Sequence, residues 1–330
     1  MTEIRSGDVL LYHGRGFISW AIRKFDGADV NHAAIALDGE RMGEAAGRGL
    51  QIAPIPASIE SNDFMVVRRF DGTDPLDPVV GIADGYLTNG KPYAYQQIVL
   101  LAILASTRRI PLPGIGRRML RSVLDHAAAA LNAFVDKGDG TRSMICSEFV
   151  YRCNAEAAGD PNPYRLLIRA GDLSFGPGGT AVDWALARPD EELAIDVSPS
   201  FDPPVSADPR QAEADLAPLI AAYAEETGLA DDDMPTGPLT GGFGPVAAEL
   251  AAGDVSDAEL LGSLGSFGVV LQDATGSAPV APSFGIGTVI GGAVVKGAIA
   301  GIKEISIDPN FVTPGDLLKS GSLADVGRLP

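Results

Sequence analysis

The chain has 330 residues, a net charge of −18, 46% apolar residues and two cysteines. That apolar share is ample for a buried core in one or two domains. Two cysteines cannot build a disulfide framework, and a strongly acidic chain disfavours nucleic acid as a partner, because like charge repels the phosphates.

In chain order, the N-terminal run MTEIRSGDVLLYH has no charged region leading into an apolar stretch and a small-residue cleavage site. No secretory signal is therefore expected, and cytoplasmic localisation is the default, with a signal-independent route needed for any exported role. Gly7-Asp8 opens an apolar strand over Val9 to Leu11. His13 lies next to Gly14 and reads as part of a loop near the candidate site.

The stretch Val30 to Leu37 alternates and is rich in small residues, which puts His32, Ala34 and Ala36 on one strand face. Asp38-Gly39 then signals a hairpin, and the chain resumes as Arg41-Met42-Gly43-Glu44-Ala45. A three-residue loop, Asp38 to Glu40, pairs Leu37 with Arg41 and sets Glu44 opposite Ala34, diagonal to His32 on its own face. A two-residue loop pairs Glu44 with Ala33 and turns it away. The first register is preferred, since it gives His32 an orienting carboxylate.

Residues 91–124 carry an apolar helical run followed by Arg108, Arg109, Arg117, Arg118 and Arg121. This cluster either holds an anionic substrate group or is a solvated helix face or a docking surface for the acidic part of the chain; the latter, structural reading is favoured. His126 precedes an alanine run and reads as a helix-surface residue.

Cys146 opens an amphipathic helix in which Phe149, Val150, Cys153 and Ala157 fall on one stripe. Ser147 or Thr141 is the expected cap. A helix N-terminus favours a thiolate through its dipole and unbonded N–H groups, so Cys146 has the character of a nucleophile. Cys153 reads as a small buried hydrophobe. One heptad of helical rise separates the two sulfurs by about 10 Å, too far for a disulfide.

Residues 181–280 account for net −17 of the charge, with 19 Asp and Glu against Arg188 and Arg210. Their Pro, Gly and Ala content suggests loosely packed helices joined by long loops. Residues 279–302 are nearly uncharged and glycine-rich. Gly287/Gly291 and Gly297/Gly301 have the four-residue spacing that lets helices approach closely, in water or in lipid. A buried hairpin or helix pair is favoured there over membrane or lipid contact. Ile305, Ile307 and Phe311 read as an extended piece.

The order GDVLLYHGRG, NHAAIAL, GEAAGRGLQIAPI, CSEFVYR resembles the permuted papain-like cysteine amidases, relatives of the NlpC-type cell-wall peptidases in which the histidine strand precedes the cysteine helix. Where that family usually has Ser-His, this chain has Asn31-His32. The resemblance covers roughly half the chain. It implies an α+β fold, a permuted papain-like (NlpC-like) domain with an antiparallel sheet and a cysteine-bearing helix, carrying a large inserted helical and loop region. It also implies a catalytic triad of Cys146, His32 and Glu44. Thr313 to Leu317 looks like the segment that closes such a domain, so the catalytic domain is expected over 1–170 and 303–330, with 171–302 inserted and partly flexible.

The chemistry that follows is thiolate attack on an acyl carbon, a thioester at Cys146, and hydrolysis assisted by His32. The first expectation is an amidase or peptidase acting on a peptide or cell-wall peptide. A lipid acyl hydrolase or acyltransferase at a membrane surface is the alternative, and a non-catalytic scaffold, hinted at by Asn31, is the third. The three histidines are far apart and no Cys-x-x-Cys or phosphate-binding glycine loop occurs, so no metal and no cofactor is expected.

Overall fold

The computed structural model describes residues 3–46, 49–88, 97–135, 145–168, 179–190, 193, 195–197, 208–235, 254–275, 288–307 and 311–330. The fold is α+β. It is built around a six-stranded sheet in the order β4-β3-β2-β1-β5-β8, antiparallel throughout. The strands are β1 (Val9–His13), β2 (His32–Ala36), β3 (Arg41–Ala46), β4 (Gly49–Pro54), β5 (Phe64–Phe70) and β8 (Leu323–Leu329); β6 (Ile195–Val197) and β7 (Thr288–Ile290) form a separate antiparallel pair.

β1 is apolar at nearly every position because both of its faces are covered. Val9 and Leu11 pack towards α3 (Asp77–Thr88) and α6 (Cys146–Ala155). Leu10 and Tyr12 pack on the opposite face with Met42, Met65 and Ile55, which begins α2 (Ile55–Ser61). The Gly7-Asp8 start serves this strand. Asp8 is fully buried, and its carboxylate takes both arms of Arg69 at 2.7 Å and the Arg5 N–H at 2.8 Å. Such a charge is stable in the interior only when fully paired.

The hairpin after β2 has the three-residue loop. Leu37 N–H donates to the Arg41 carbonyl, Asp38 Oδ1 accepts from the Glu40 and Arg41 amides at 2.8 and 2.7 Å, and Ala34 lies opposite Glu44. An Asp side chain that closes its own turn is the physical signal behind the Asp-Gly pair.

Beside the sheet stands a helical layer with one continuous core. It joins α1 (Phe17–Asp26), α4 (Gln97–Thr107), α5 (Gly114–Val135) and α7 (Ala181–Leu186) to α8 (Pro209–Thr227), α9 (Asp257–Thr275) and α10 (Gly292–Ile307). α4 is apolar all round because it is surrounded. The described helices of the acidic and glycine-rich stretches are not loose: Leu216, Ile220, Tyr223, Leu264, Phe267 and Ile299 are all fully buried. Close approach of α9 to α10 requires Gly268, whose missing Cβ would strike the Ala298 backbone. Gly287 lies outside the described residues, and no described helix is long and apolar enough to cross a membrane.

Ile305 and Ile307 belong to α10 rather than to an extended piece, and Ile305, three residues after Ile302, packs against the helical core. Arg117 reaches Asp257 at 2.5 Å and Arg121 reaches Glu259 at 2.8 Å, so these two arginines dock the acidic helix α9. The chain then returns to the sheet through α11 (Pro314–Lys319), whose capping box joins Thr313 and Asp316, and through β8, which pairs with β5.

Candidate active site

Three elements meet at one end of the sheet. β2 begins with His32, β3 carries Glu44 on the neighbouring strand, and α6 begins with Cys146. Because Glu44 stands opposite Ala34, one residue pair beyond His32 on the same face, its Oε2 lies 2.9 Å from His32 Nε2. Its other oxygen accepts from Gln51 Nε2 at 2.8 Å, and Gln51 is the residue facing Glu44 across the β3–β4 ladder. Tyr12, opposite His32 in the β1–β2 pair, lays its ring beside the imidazole with centroids 5.6 Å apart. The ring of His32 is therefore fixed on two sides.

With Nε2 held by Glu44, His32 Nδ1 is buried with no nitrogen or oxygen partner. The Cys146 thiol is the titratable group that, with Glu44, acts on the ring. Cys146 is 5% exposed. Burial pushes the thiol up, but the charge of the imidazolium and the backbone amides of Ala33 and Ser147 outweigh it and hold Cys146 below the ordinary thiol range. Burial pushes His32 down, yet the Cys146 thiolate and then Glu44 raise it to about 10. The two directions are coupled, each favouring the thiolate–imidazolium form, and the titration belongs to the pair. Glu44 is held below the usual carboxylate range by His32 and Gln51 against the opposing effect of burial.

The α6 N-terminus is built differently from expectation. Ile145 is the N-cap and no side chain caps the helix. Ser147 lies inside the first turn and donates its hydroxyl to the Val312 carbonyl at 2.5 Å, while Thr141 lies outside the described residues. Cys153 is fully buried, and burial pushes its thiol well above the ordinary range. The two cysteines are both free.

A cleft of about 280 Å³ opens onto Cys146 and His32. Its walls are mainly apolar, from Ile18, Ala45, Ile98, Leu100 and Ile145, with Asn62, Gln97 and Glu213 as polar members.

No family model matches the chain. The chain is 28% identical over 182 residues to the probable lipoprotein peptidase YaeF of Escherichia coli (strain K12), covering 52% of this chain and 66% of that protein. It is similar to a peptidase. The chain thus spans just under two thirds of that relative's length. The crystal structure of the metalloprotein YiiX from Escherichia coli O157:H7 aligns with a TM-score of 0.30 at 19% identity, over 48% of this chain and 68% of the other. Among the described residues no group of three His, Cys, Asp or Glu side chains could hold a metal ion.

The other two histidines stand apart from the cleft. His13 ends β1 instead of lying in a loop; its Nδ1 meets the Asp29 carbonyl at 2.7 Å and its ring stacks on Phe64. His126 is buried, not on the surface, between the Ser122 carbonyl and Asp215 of α8. Sequence reasoning passed over Gln51 and Tyr12, both of which follow from the strand register once β1, β3 and β4 are aligned. It also passed over Glu213, which no local pattern marks.

Proposed function

We propose that the protein is a cysteine-dependent hydrolase of an amide, acting on a peptide or cell-wall peptide through Cys146, His32 and Glu44 on a permuted papain-like (NlpC-like) domain. The observation that carries this reading is the alignment of a lowered thiol at a helix N-terminus, an imidazole with its Nδ1 unbonded, and a carboxylate 2.9 Å from the far nitrogen. Nucleophile, base and orienter are the three roles acyl transfer requires. Similarity to a probable lipoprotein peptidase supports the choice of amide.

In the first half-reaction the Cys146 thiolate bonds to the acyl carbon, and the carbonyl oxygen becomes an oxyanion beside the Cys146 backbone N–H and the positive end of α6. The imidazolium gives its Nδ1 proton to the leaving nitrogen, the C–N bond breaks, and a thioester remains. Water then enters, His32 takes one of its protons, the new C–O bond forms, and the C–S bond breaks. The acid departs, and the thiolate–imidazolium pair is restored. Glu44 stays ionised throughout, keeping Nε2–H bound so that Nδ1 does the proton work.

The apolar lining of the cleft favours one other reading, removal or transfer of a lipid acyl group. Purified protein separates the two. New amines from muropeptides, absent in Cys146→Ala, are expected; fatty acid released from phospholipid vesicles in place of amines would replace the amide reading with the lipid one. Wild-type biological function in a Cys146→Ala strain would falsify catalysis altogether and leave the scaffold reading.

A further inference from the structure

Part of the cleft wall comes neither from the sheet nor from α6. Pro209, Ala212 and Glu213 supply it, all from the first turns of α8 in the acidic part of the chain. α8 is fixed in that position by an unusual contact. α1 has no capping side chain of its own and no acidic residue in its first turn. Glu213, 196 positions away, performs that role: its carboxylate accepts the Phe17 amide at 2.5 Å and the Ile18 amide at 3.2 Å. The residue before them, Gly16, has φ 104°, and a Cβ there would stand 2.9 Å from Glu213 Oε1, so glycine is needed for the carboxylate to reach the helix end. Beyond the C-terminus of α8, Asp231 accepts from Trp20 Nε1 at 2.9 Å and pairs with Lys24, a second attachment to α1.

Ala212, 2% exposed, lines the same cleft as Cys146 with a side chain of a single methyl group. The cleft is about 280 Å³, just below the roughly 300–1,000 Å³ typical of small-molecule pockets. We infer that the first turns of α8, held by Glu213 on the α1 N-terminus, are the size-selecting wall of the acyl site, and that Ala212 and Glu213 restrict it to compact acyl groups. This rests on Cys146 being the nucleophile, as proposed above.

The test uses the full chain and two uncharged thiol reagents of different size, iodoacetamide and pyrene maleimide, with labelling of Cys146 resolved from Cys153 by peptide mass. The quantity read is the ratio of the pyrene maleimide rate to the iodoacetamide rate. Ala212→Leu fills the cleft and should lower that ratio by roughly tenfold, the scale on which one or two methylenes discriminate in an apolar pocket. Glu213→Ala releases the wall and should raise it by a similar factor. Unfolding exposes the thiol and raises the ratio in any variant, so a fall in Ala212→Leu cannot come from misfolding. Ratios that stay at the wild-type value, or that move the same way in both variants, overturn the inference. Slow iodoacetamide labelling that is indifferent to His32→Ala overturns the nucleophile reading instead, and the wall with it.

Discussion

Replacing Glu44 by glutamine isolates what its charge does for His32. The amide keeps the shape of the carboxylate and one acceptor oxygen, so the 2.9 Å contact to Nε2 can persist while the charge is lost. A hydrogen bond to a charged group is worth about 1.5–3 kcal/mol and a neutral one about 0.5–1.5 kcal/mol, so the change removes about 1–1.5 kcal/mol from the imidazolium form. At 1.36 kcal/mol per pKa unit, that lowers His32 by about one unit. The proton shared with Cys146 then moves about tenfold towards the neutral thiol–imidazole pair. The site is nearly dry, with side-chain exposures of 13% for His32 and 11% for Glu44, so solvent screening removes little of this. The assay is the rate of Cys146 alkylation by iodoacetamide against pH, with thiolate absorbance in the ultraviolet as a second reading. Glu44→Gln should keep the thiolate at neutral pH but lose the imidazolium earlier, so the step in alkylation rate on the alkaline side, where His32 gives up its proton, should move down by about one pH unit. A wild-type rate and profile would mean that Glu44 does not sustain the ion pair, and the role assigned to it would be refuted.

Other consequences follow from the packing. Asp26 is buried against Gly315 and Thr313, and burial raises its carboxyl from 3.8 to about 6 despite the hydrogen bonds from those residues. Between these two values the folded state binds more protons than the unfolded one, so stability should fall as pH rises from about 4 to about 6, by about 3 kcal/mol in total from this group, and Asp26→Asn should flatten that slope in urea titrations. Gly268→Ala sets a methyl group against the Ala298 backbone and should cost about 1–3 kcal/mol, whereas Gly262→Ala on the same helix meets nothing within 4 Å and should gain about 0.5–1 kcal/mol. If the two substitutions shift the denaturation midpoint alike, the α9–α10 contact is not as described. Asn31→Ser should cost about 1–3 kcal/mol, because the shorter side chain leaves the buried Gly14 amide unpaired, while the alkylation profile of Cys146 stays that of the wild type.

The parts of the site that were legible in the sequence are those fixed by short-range geometry. The placing of Glu44 depended on strand alternation and a three-residue loop, both local, and the carboxylate lies within 2.9 Å of His32 as that register requires. The cysteine helix announced itself through Phe149, Val150 and Cys153, all fully buried. The failures share a different character. His126 was read as a surface residue because the alanines after it say nothing of Asp215, which covers it from 89 positions away. Ser147 was read as a possible cap because hydroxyls favour helix ends, but its partner is Val312, 165 positions on. Ile305 and Ile307 alternate as in a strand, and the packing of Ile305, with Ile299 and Ile302, on the helical core is a distant contact that no local pattern states.

Asn31 shows how such distant contacts alter a functional reading. From sequence it is a departure beside the candidate base, and it gives the scaffold reading its motive. In the fold it is fully buried, its Oδ1 accepting the Gly14 amide at 2.7 Å and its Nδ2 donating to Ser19 Oγ at 3.1 Å. Ser19 in turn donates to Gln97, a residue of the cleft wall. A serine at position 31 has neither the reach nor the second polar atom to span Gly14 and Ser19 together. The departure is therefore explained by the turn and helix it joins, without any appeal to a decayed site. The same chain of contacts connects the strand that bears His32 to α1, and α1 is the helix whose N-terminus receives Glu213 from the acidic stretch. The region that sequence composition sets apart from the candidate catalytic residues is thus, in three dimensions, one of the walls around them.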